Sequence, residues 1–320
     1  MNLLVLPDDG LAPVVHAIRR ARQSVRVTIF RCDLPEIEKA LGEAVTRGVA
    51  VHALIAHTNR AGEKLLRKLE LRLLGMGVTV SRTADDLVRY HDKMMIVDER
   101  VLFVLGFNFT RTEVMRRRSL GVVTRQREIV SEALRLFEAD ATRQPFAPAA
   151  RSRLVVSPLG ARGRIARFVQ SARSALWIYD PHVTDRPMIR LVRERIAAGV
   201  DVRILGKATP AVVGLPIDLP ASLDVHVRAL LRDDAELFVG SQGLRTLELD
   251  RRREVGVLVR DRSAIKRFRA VFEADWATTR RSAAEAEKAA KEEETAAVAG
   301  EEADAAPALA DGAALRGAAV

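Results

Sequence analysis

One cysteine, Cys32, stands in a chain of 320 residues. No intrachain disulfide can form, and nothing points to a secreted disulfide scaffold. Cys32 is read as a buried thiol rather than a reactive one. Aromatic residues make up 4% of the chain, too few for a stacking platform that grips single-stranded nucleic acid. Trp177, Tyr179 and Trp276 sit at core-like positions. No stretch reaches the ~18 apolar residues of a membrane span. The first residues, Met1 to Asp9, lack the basic region and apolar length of a signal peptide. A cytoplasmic protein, soluble or peripheral on the inner membrane face, is the expectation. No histidine or cysteine spacing matches a metal site.

Apolar residues make up 48% of the chain, which marks a globular body long enough for two domains. Charge is unevenly divided. From Ala283 onward 9 acidic residues face 3 basic ones, a net of −6, whereas the preceding body has 49 basic and 33 acidic residues, a net of +16. A basic body suits anionic partners, phospholipid headgroups or nucleic acid. An arginine- and alanine-rich composition throughout is an equally simple source of that charge. The Ala/Glu-rich tail is expected to be a solvated helix over Ala283–Ala297 and disordered beyond it.

The chain reads as an internal duplication. Arg47-Gly48-Val49-Ala50-Val51 matches Ala198-Gly199-Val200-Asp201-Val202 at an offset of 151. From His91 the offset is 135, ending with Phe137-Glu138-Ala139-Asp140 against Phe272-Glu273-Ala274-Asp275. The fall in offset means that the second half is shorter between its Gly-Val strand and its motif. Each half alternates strands and helices. Apolar spacing predicts helices over Val14–Ala21 and Ile165–Ala172, Pro35–Arg47 and Pro187–Ala198, and a closing pair over Arg127–Ala139 and Ser263–Trp276. Between them it predicts strands over Val25–Phe30 and Leu176–Tyr179, Val49–Ala56 and Val200–Leu205, Leu102–Leu105 and Glu236–Val239, and Leu120–Thr124 and Val255–Val259. That alternation argues for an α/β fold. The expected division is residues 1–143, a linker over 144–152, residues 153–282, and the tail 283–320.

Chemistry concentrates in one string. His91-Asp92-Lys93 precedes Met94-Met95-Ile96-Val97-Asp98, a His-x-Lys-x4-Asp pattern. A worn copy runs from His226 through Arg228 to Asp233. Residues two apart in a strand share a face, so each string is expected to present an imidazole and a cation together. A charged Lys93 beside an apolar run needs an anion. Asn108 follows in Gly106-Phe107-Asn108-Phe109-Thr110 and is one of three asparagines in the chain. His91, Lys93 and Asn108 read as nucleophile or base, phosphate clamp and neutral donor. In the second half, Gly240-Ser241-Gln242-Gly243 follows His226, with Gly243 in the place that matches Asn108, and Glu254 comes after it. Glu254 is the candidate carboxylate to orient His226; a solvated charge among Arg251 to Arg253 is the competing reading.

Two such strings in register, with Asn108 in one half and Gly240-Ser241 and Glu254 in the other, resemble the phospholipase D superfamily over roughly residues 1–280, in the manner of bacterial cardiolipin-synthase-like proteins. The resemblance implies two α/β/α sandwich halves packed about a pseudo-twofold axis, an internal pseudo-dimer within a monomer. It implies a phosphodiesterase or phosphatidyltransferase that acts on a phospholipid and passes the phosphoryl group to water or an acceptor alcohol. No cofactor and no metal is implied. His91 would be the nucleophile and His226 the general acid/base, with Lys93, Asn108, Arg228 and Ser241 around the phosphate. Asp98 and Asp233 would be structural. Exchanged histidine roles, with Glu254 activating His226, are the alternative. The chain departs from the family pattern at Arg228, in place of lysine, at Gly243, in place of asparagine, and at Ser119, where the place of Glu254 leaves His91 without a carboxylate. A nuclease of the same fold, or a degenerate relative that binds phospholipid or nucleic acid, remains open.

Overall fold

The computed structural model describes residues 1–58, 63–207, 209–220 and 224–280, so the tail helix expected over Ala283–Ala297 lies outside the described residues. The first half runs β1 (Asn2–Leu6), α1 (Ala12–Arg20), β2 (Ser24–Ile29), α2 (Pro35–Thr46), β3 (Ala50–Ile55), α3 (Glu63–Gly75), β4 (Thr79–Arg82), β5 (Arg89–Tyr90), β6 (Met94–Val97), β7 (Val101–Leu105), α4 (Arg111–Arg116), β8 (Arg117–Thr124) and α5 (Arg127–Thr142). The second runs β9 (Leu154–Ser157), α6 (Ala161–Gln170), β10 (Ala175–Tyr179), α7 (Arg186–Ala197), β11 (Asp201–Leu205), β12 (Ile217–Asp218), β13 (Asp224–Val225), β14 (Ala229–Arg232), β15 (Glu236–Gly240), α8 (Thr246–Asp250), β16 (Arg252–Val259) and α9 (Arg262–Ala277). The length difference between the halves has a physical counterpart. The first half inserts α3 before its motif, where the second has a short 3-10 turn over Pro210–Val212.

Local rules explain the helices that frame the sheets. Pro35 opens α2, Glu36 and Glu38 lie in its first turn, and Ile37, Ala40, Leu41 and Ala44 form its buried stripe. Asp185 caps α7 by accepting the Met188 N–H at 3.0 Å. Two mixed sheets result, in the orders β1-β8-β7-β6-β2-β3-β4 and β12-β11-β10-β14-β15-β16. Central strands such as β6 and β15 are buried along their whole length, as layers of helix on both faces require. One apolar core joins the halves, with Phe137 of α5 and Phe268 and Phe272 of α9 fully buried in it.

The halves also exchange strands. β5 of the first half pairs with β16 of the second, Arg89 opposite Arg252. Reciprocally, β13 of the second half pairs with β8 of the first, Asp224 opposite Arg117. Each exchange ends at a motif histidine. The His91 N–H donates to Arg253 O at 2.8 Å, and the His226 N–H to Arg118 O at 3.0 Å. The same two arginines lock the seam with buried bidentate ion pairs. Arg118 meets Asp275 at 2.8 and 3.0 Å, and Arg253 meets Asp140 at 3.0 and 2.9 Å.

One expectation needs correction here. His91 and Lys93 are not in a strand, because β6 begins at Met94 and β14 likewise begins after Arg228, at Ala229. Their extended lead-in continues β5, which pairs with β16 across the seam, and Lys93 O accepts the Leu105 N–H of its own half at 2.9 Å. Among the described residues no helix is long and apolar enough to cross a membrane.

Candidate active site

The seam brings both motifs to one place. Burial and the charges of Lys93, Arg228, Arg252 and His226 act together on His91, and Lys93 and Arg228 act on His226. The His91 Nδ1 lies 2.9 and 3.0 Å from the two carboxylate oxygens of Glu254. The His226 Nδ1 lies 3.0 Å from Glu113 Oε2, close enough for an ion pair, with the carboxylate off the line of a hydrogen bond. The supporting carboxylates are crossed: Glu254 of the second half serves the histidine of the first, and Glu113 of the first serves the histidine of the second. The expectations that Glu254 orients His226, and that His91 has no carboxylate, are both corrected by this geometry. Strand exchange is the reason, since it lays His91 beside Arg253 and thus beside Glu254.

Exposure separates the layers of the site. The side chains of Glu254 and Glu113 are 0% and 4% exposed, whereas His91 and His226 are 12% and 21% exposed. The carboxylates lie behind and the imidazoles face outward. Phe30 packs edge-on against the His91 ring at 4.5 Å between centroids. Burial first, then Lys93 and Arg228, holds His91 well below the usual histidine range. Burial pushes the Glu254 carboxyl up to about 8, against the opposing charge of Lys93. His91 is therefore a neutral imidazole. Where Glu254 is ionised, it favours the proton on Nδ1 and the lone pair on Nε2, 3.1 Å from Lys93 Nζ. Burial also lowers His226, with the Glu113 contact opposing that shift. Glu113 itself, despite burial, is brought down to about 2 by His226 and Arg117.

Three cations surround the imidazoles. Lys93 is 3% exposed; its Nζ lies 3.1 Å from both ring nitrogens of His91 and donates to the His91 carbonyl. Burial draws it down to about 8, with Glu254 opposing. Arg228 is held by Glu248 at 3.0 and 3.1 Å, which leaves its buried Nη1 without a partner. Arg252, not singled out by the sequence reading, is the third. It is buried, lies 3.9 Å from Glu248 and 4.0 Å from Glu254, and has an unpartnered Nε. Asn108 is buried, with its Nδ2 3.5 Å from Glu113 and its Oδ1 unpartnered.

Other expected site residues lie elsewhere. Ser241 is corrected from a phosphate donor to a support. It is fully buried, accepts the Val255 N–H at 3.1 Å, and lowers Glu254 by hydrogen bonding. Asp98 and Asp233 each open a three-residue hairpin loop, with positive φ at 51°. Asp98 accepts the N–H groups of Arg22, Gln23 and Ser24, and Asp233 those of Arg173, Ser174 and Ala175. Cys32 is half-buried and its thiol is pushed up to about 12 by burial, which removes it as a nucleophile.

A family model described as cardiolipin synthase, PLD-like domain, matches residues 14–141 and 165–276. A mitochondrial cardiolipin hydrolase of Mus musculus is 26% identical over 150 residues, 44% of this chain and 64% of that protein. Among solved structures, phosphatidylserine synthase of Haemophilus influenzae Rd KW20 aligns with a TM-score of 0.67 at 12% identity, covering 87% of this chain and 86% of that one. Polyphosphate kinase of Porphyromonas gingivalis aligns with a TM-score of 0.70 at 18% identity, covering 85% of this chain and 46% of that one. The chain spans less than two thirds of the mouse protein and less than half of the kinase. At these identities the two structures speak for the fold alone.

Proposed function

The chain belongs to the cardiolipin synthase, PLD-like domain family, and from that premise we propose that it is a phosphodiesterase or phosphatidyltransferase that acts on phospholipids through a phosphohistidine at His91. The observation that carries this reading is the crossed pairing of two outward imidazoles with two buried carboxylates, one of each from either half. In the first step the His91 Nε2 lone pair attacks phosphorus, the bond to the leaving oxygen breaks, and protonated His226 gives that oxygen its proton. In the second, His226 takes a proton from water or an acceptor alcohol. The new oxygen attacks phosphorus, the P–N bond breaks, and both histidines return to their starting states. Lys93, Asn108 and the unpartnered Nη1 of Arg228 are the donors for the charge that builds on the phosphoryl oxygens.

Fluorescent phospholipids of several headgroups, with and without glycerol as acceptor and with a chelator present, test the reading. Wild type should release or exchange the headgroup and yield an acid-labile phosphoryl adduct that His91→Ala lacks. No turnover of any phosphodiester would sink the proposal. The same chemistry suits a nucleic-acid backbone, and the basic body favours any polyanion, so DNA belongs in the same assay. Cleavage of DNA with lipids untouched would move the substrate class and keep the mechanism.

A further inference from the structure

Glu113 does not stand where Glu254 stands. At the offset of 135 that relates the motifs, the counterpart of Glu254 is Ser119. Glu113 and Glu248 instead share a second equivalent position at that same offset, on the short helices α4 and α8. In the second half this glutamate grips Arg228. In the first it reaches across the seam to His226. Building on the proposed phosphoryl transfer, we propose that Glu113 is a positioning residue for His226. It fills the role that Ser119 is too short to perform, holds a proton on Nδ1 and leaves Nε2 to serve the leaving group.

Three observations support this role. The Ser119 hydroxyl donates to Glu113 Oε2 at 3.3 Å, so the shortened residue backs up the carboxylate that replaces it. Glu113 is almost fully buried, and a carboxylate buried beside an imidazole has its energy set by that contact. Neutralising Arg117 is not its main task. Arg117 lies 3.3 Å from Glu113 but already has Asp224 at 2.8 Å. The charges that face His226 are Glu113 on one side and Arg228 and Lys93 on the other. Glu113 is thus the one among them that favours a proton on the ring. The consequence is a graded pair: burial lowers both imidazoles, and Glu113 opposes that fall at His226 while His91 is held well below the usual range.

The chain has six histidines, so their side-chain nitrogen spectra are few enough to follow through a pH titration in the full chain. In Glu113→Gln the His226 midpoint should move to lower pH and its Nδ1-protonated form should lose its preference, with His16, His52, His57 and His182 unmoved. The double variant Glu113→Ala/Ser119→Glu should bring both signatures back. In the headgroup assay, kcat should fall on the order of 100-fold in Glu113→Gln with KM nearly unchanged and recover in the double variant. A His226 titration and tautomer identical to wild type in Glu113→Gln overturns the inference. If the His226 shift is present but wild type turns over no phosphodiester, the proposed reaction falls while the positioning role stands.

Discussion

At equivalent positions the first half places Lys93, Asn108 and Ser119, and the second places Arg228, Gly243 and Glu254. The surroundings of these trios differ more than the residues do. Around Arg228 the second half gathers its own carboxylates. Glu248 binds the guanidinium on two sides and accepts the Gly243 N–H at 2.8 Å. Asp180 fills the space an asparagine would use, since a Cβ at Gly243 would stand 2.5 Å from Asp180 Oδ2. Around Lys93, by contrast, the nearest groups are the imidazole and carbonyl of His91. Both cations are buried, but one half holds its cation on a carboxylate of its own while the other leaves Lys93 against His91. Each half lost what the other kept, so the composite site needs both. On the proposed mechanism the first supplies nucleophile, clamp and Glu113, and the second supplies acid and Glu254.

The sharpest way to break this division is to remove each histidine in turn. His91→Ala should abolish turnover of every phosphodiester by at least about 10⁴-fold, because no P–N bond can form. His226→Ala should do the same for alkyl leaving groups but still release about one equivalent of an acidic phenol, which departs without a proton, and then stall because no base activates the second step. The reverse pattern on an aryl phosphodiester would exchange the two roles. The seam should respond symmetrically. Arg118→Ala and Arg253→Ala each remove the guanidinium from a buried aspartate, Asp275 and Asp140, at about 3–5 kcal/mol, with Asp275 keeping the Tyr179 hydroxyl at 2.6 Å. Equal falls in urea midpoint would show that the two pins are equivalent, and a large inequality would break the comparison at the level of structure.

Much of the fold was legible because the buried strands are apolar runs and the duplication repeats them. α4 and α8 were not, because helices this short leave no periodic stripe. The pairings within the site were not legible. Linear order put Glu254 with His226, the histidine of its own half. Only strand exchange between β5 and β16 reveals that it belongs to His91. Glu113 was missed because the search for a carboxylate followed the offset of 135 to Ser119 and stopped. A signal was present. Thr112-Glu113-Val114 and Leu247-Glu248-Leu249 place a glutamate at the same register in both halves, next to residues that pack inward. Arg252 was hidden by its neighbours, since a run of three arginines reads as solvated surface and does not tell which of them turns inward.

Lys93 offers a gentler test of the proposed clamp. Its pKa is drawn down to about 8 by burial, so its charge is present below that pH and lost as pH rises through it. Sulfate, whose charge does not change in this range, should compete with substrate at pH 7 and weaken about 10- to 100-fold by pH 9.5, the worth of one charge-assisted hydrogen bond. Lys93→Arg should remove the Lys93 part of that fall and leave the part due to Glu254, whose carboxyl, pushed up to about 8 by burial, ionises in the same range. Arg228 is raised further above the ordinary arginine range by Glu248, burial opposing, and contributes no such limb. Sulfate affinity that ignores pH in wild type would mean that Lys93 is not the clamp.

The smallest expected effect lies at the motif aspartates, where the halves should be indistinguishable. Backbone N–H groups, against the raising effect of burial, hold both Asp98 and Asp233 below the usual carboxylate range. A group depressed on folding stabilises the fold above its unfolded pKa and loses that contribution as pH falls through the folded value. Asp98→Asn and Asp233→Asn should each cost roughly 1 kcal/mol, as loss of a capping side chain does, at pH 7 and progressively less toward pH 3. Asp233 also accepts the Ser174 hydroxyl at 3.0 Å, so its variant should be slightly the worse. Neither should change kcat, since both carboxylates face a turn rather than the imidazoles. A fall in kcat from either variant at unchanged stability would mean that the turn sets the reach of the motif strand, and that structure and chemistry in the two halves are less separable than their geometry indicates.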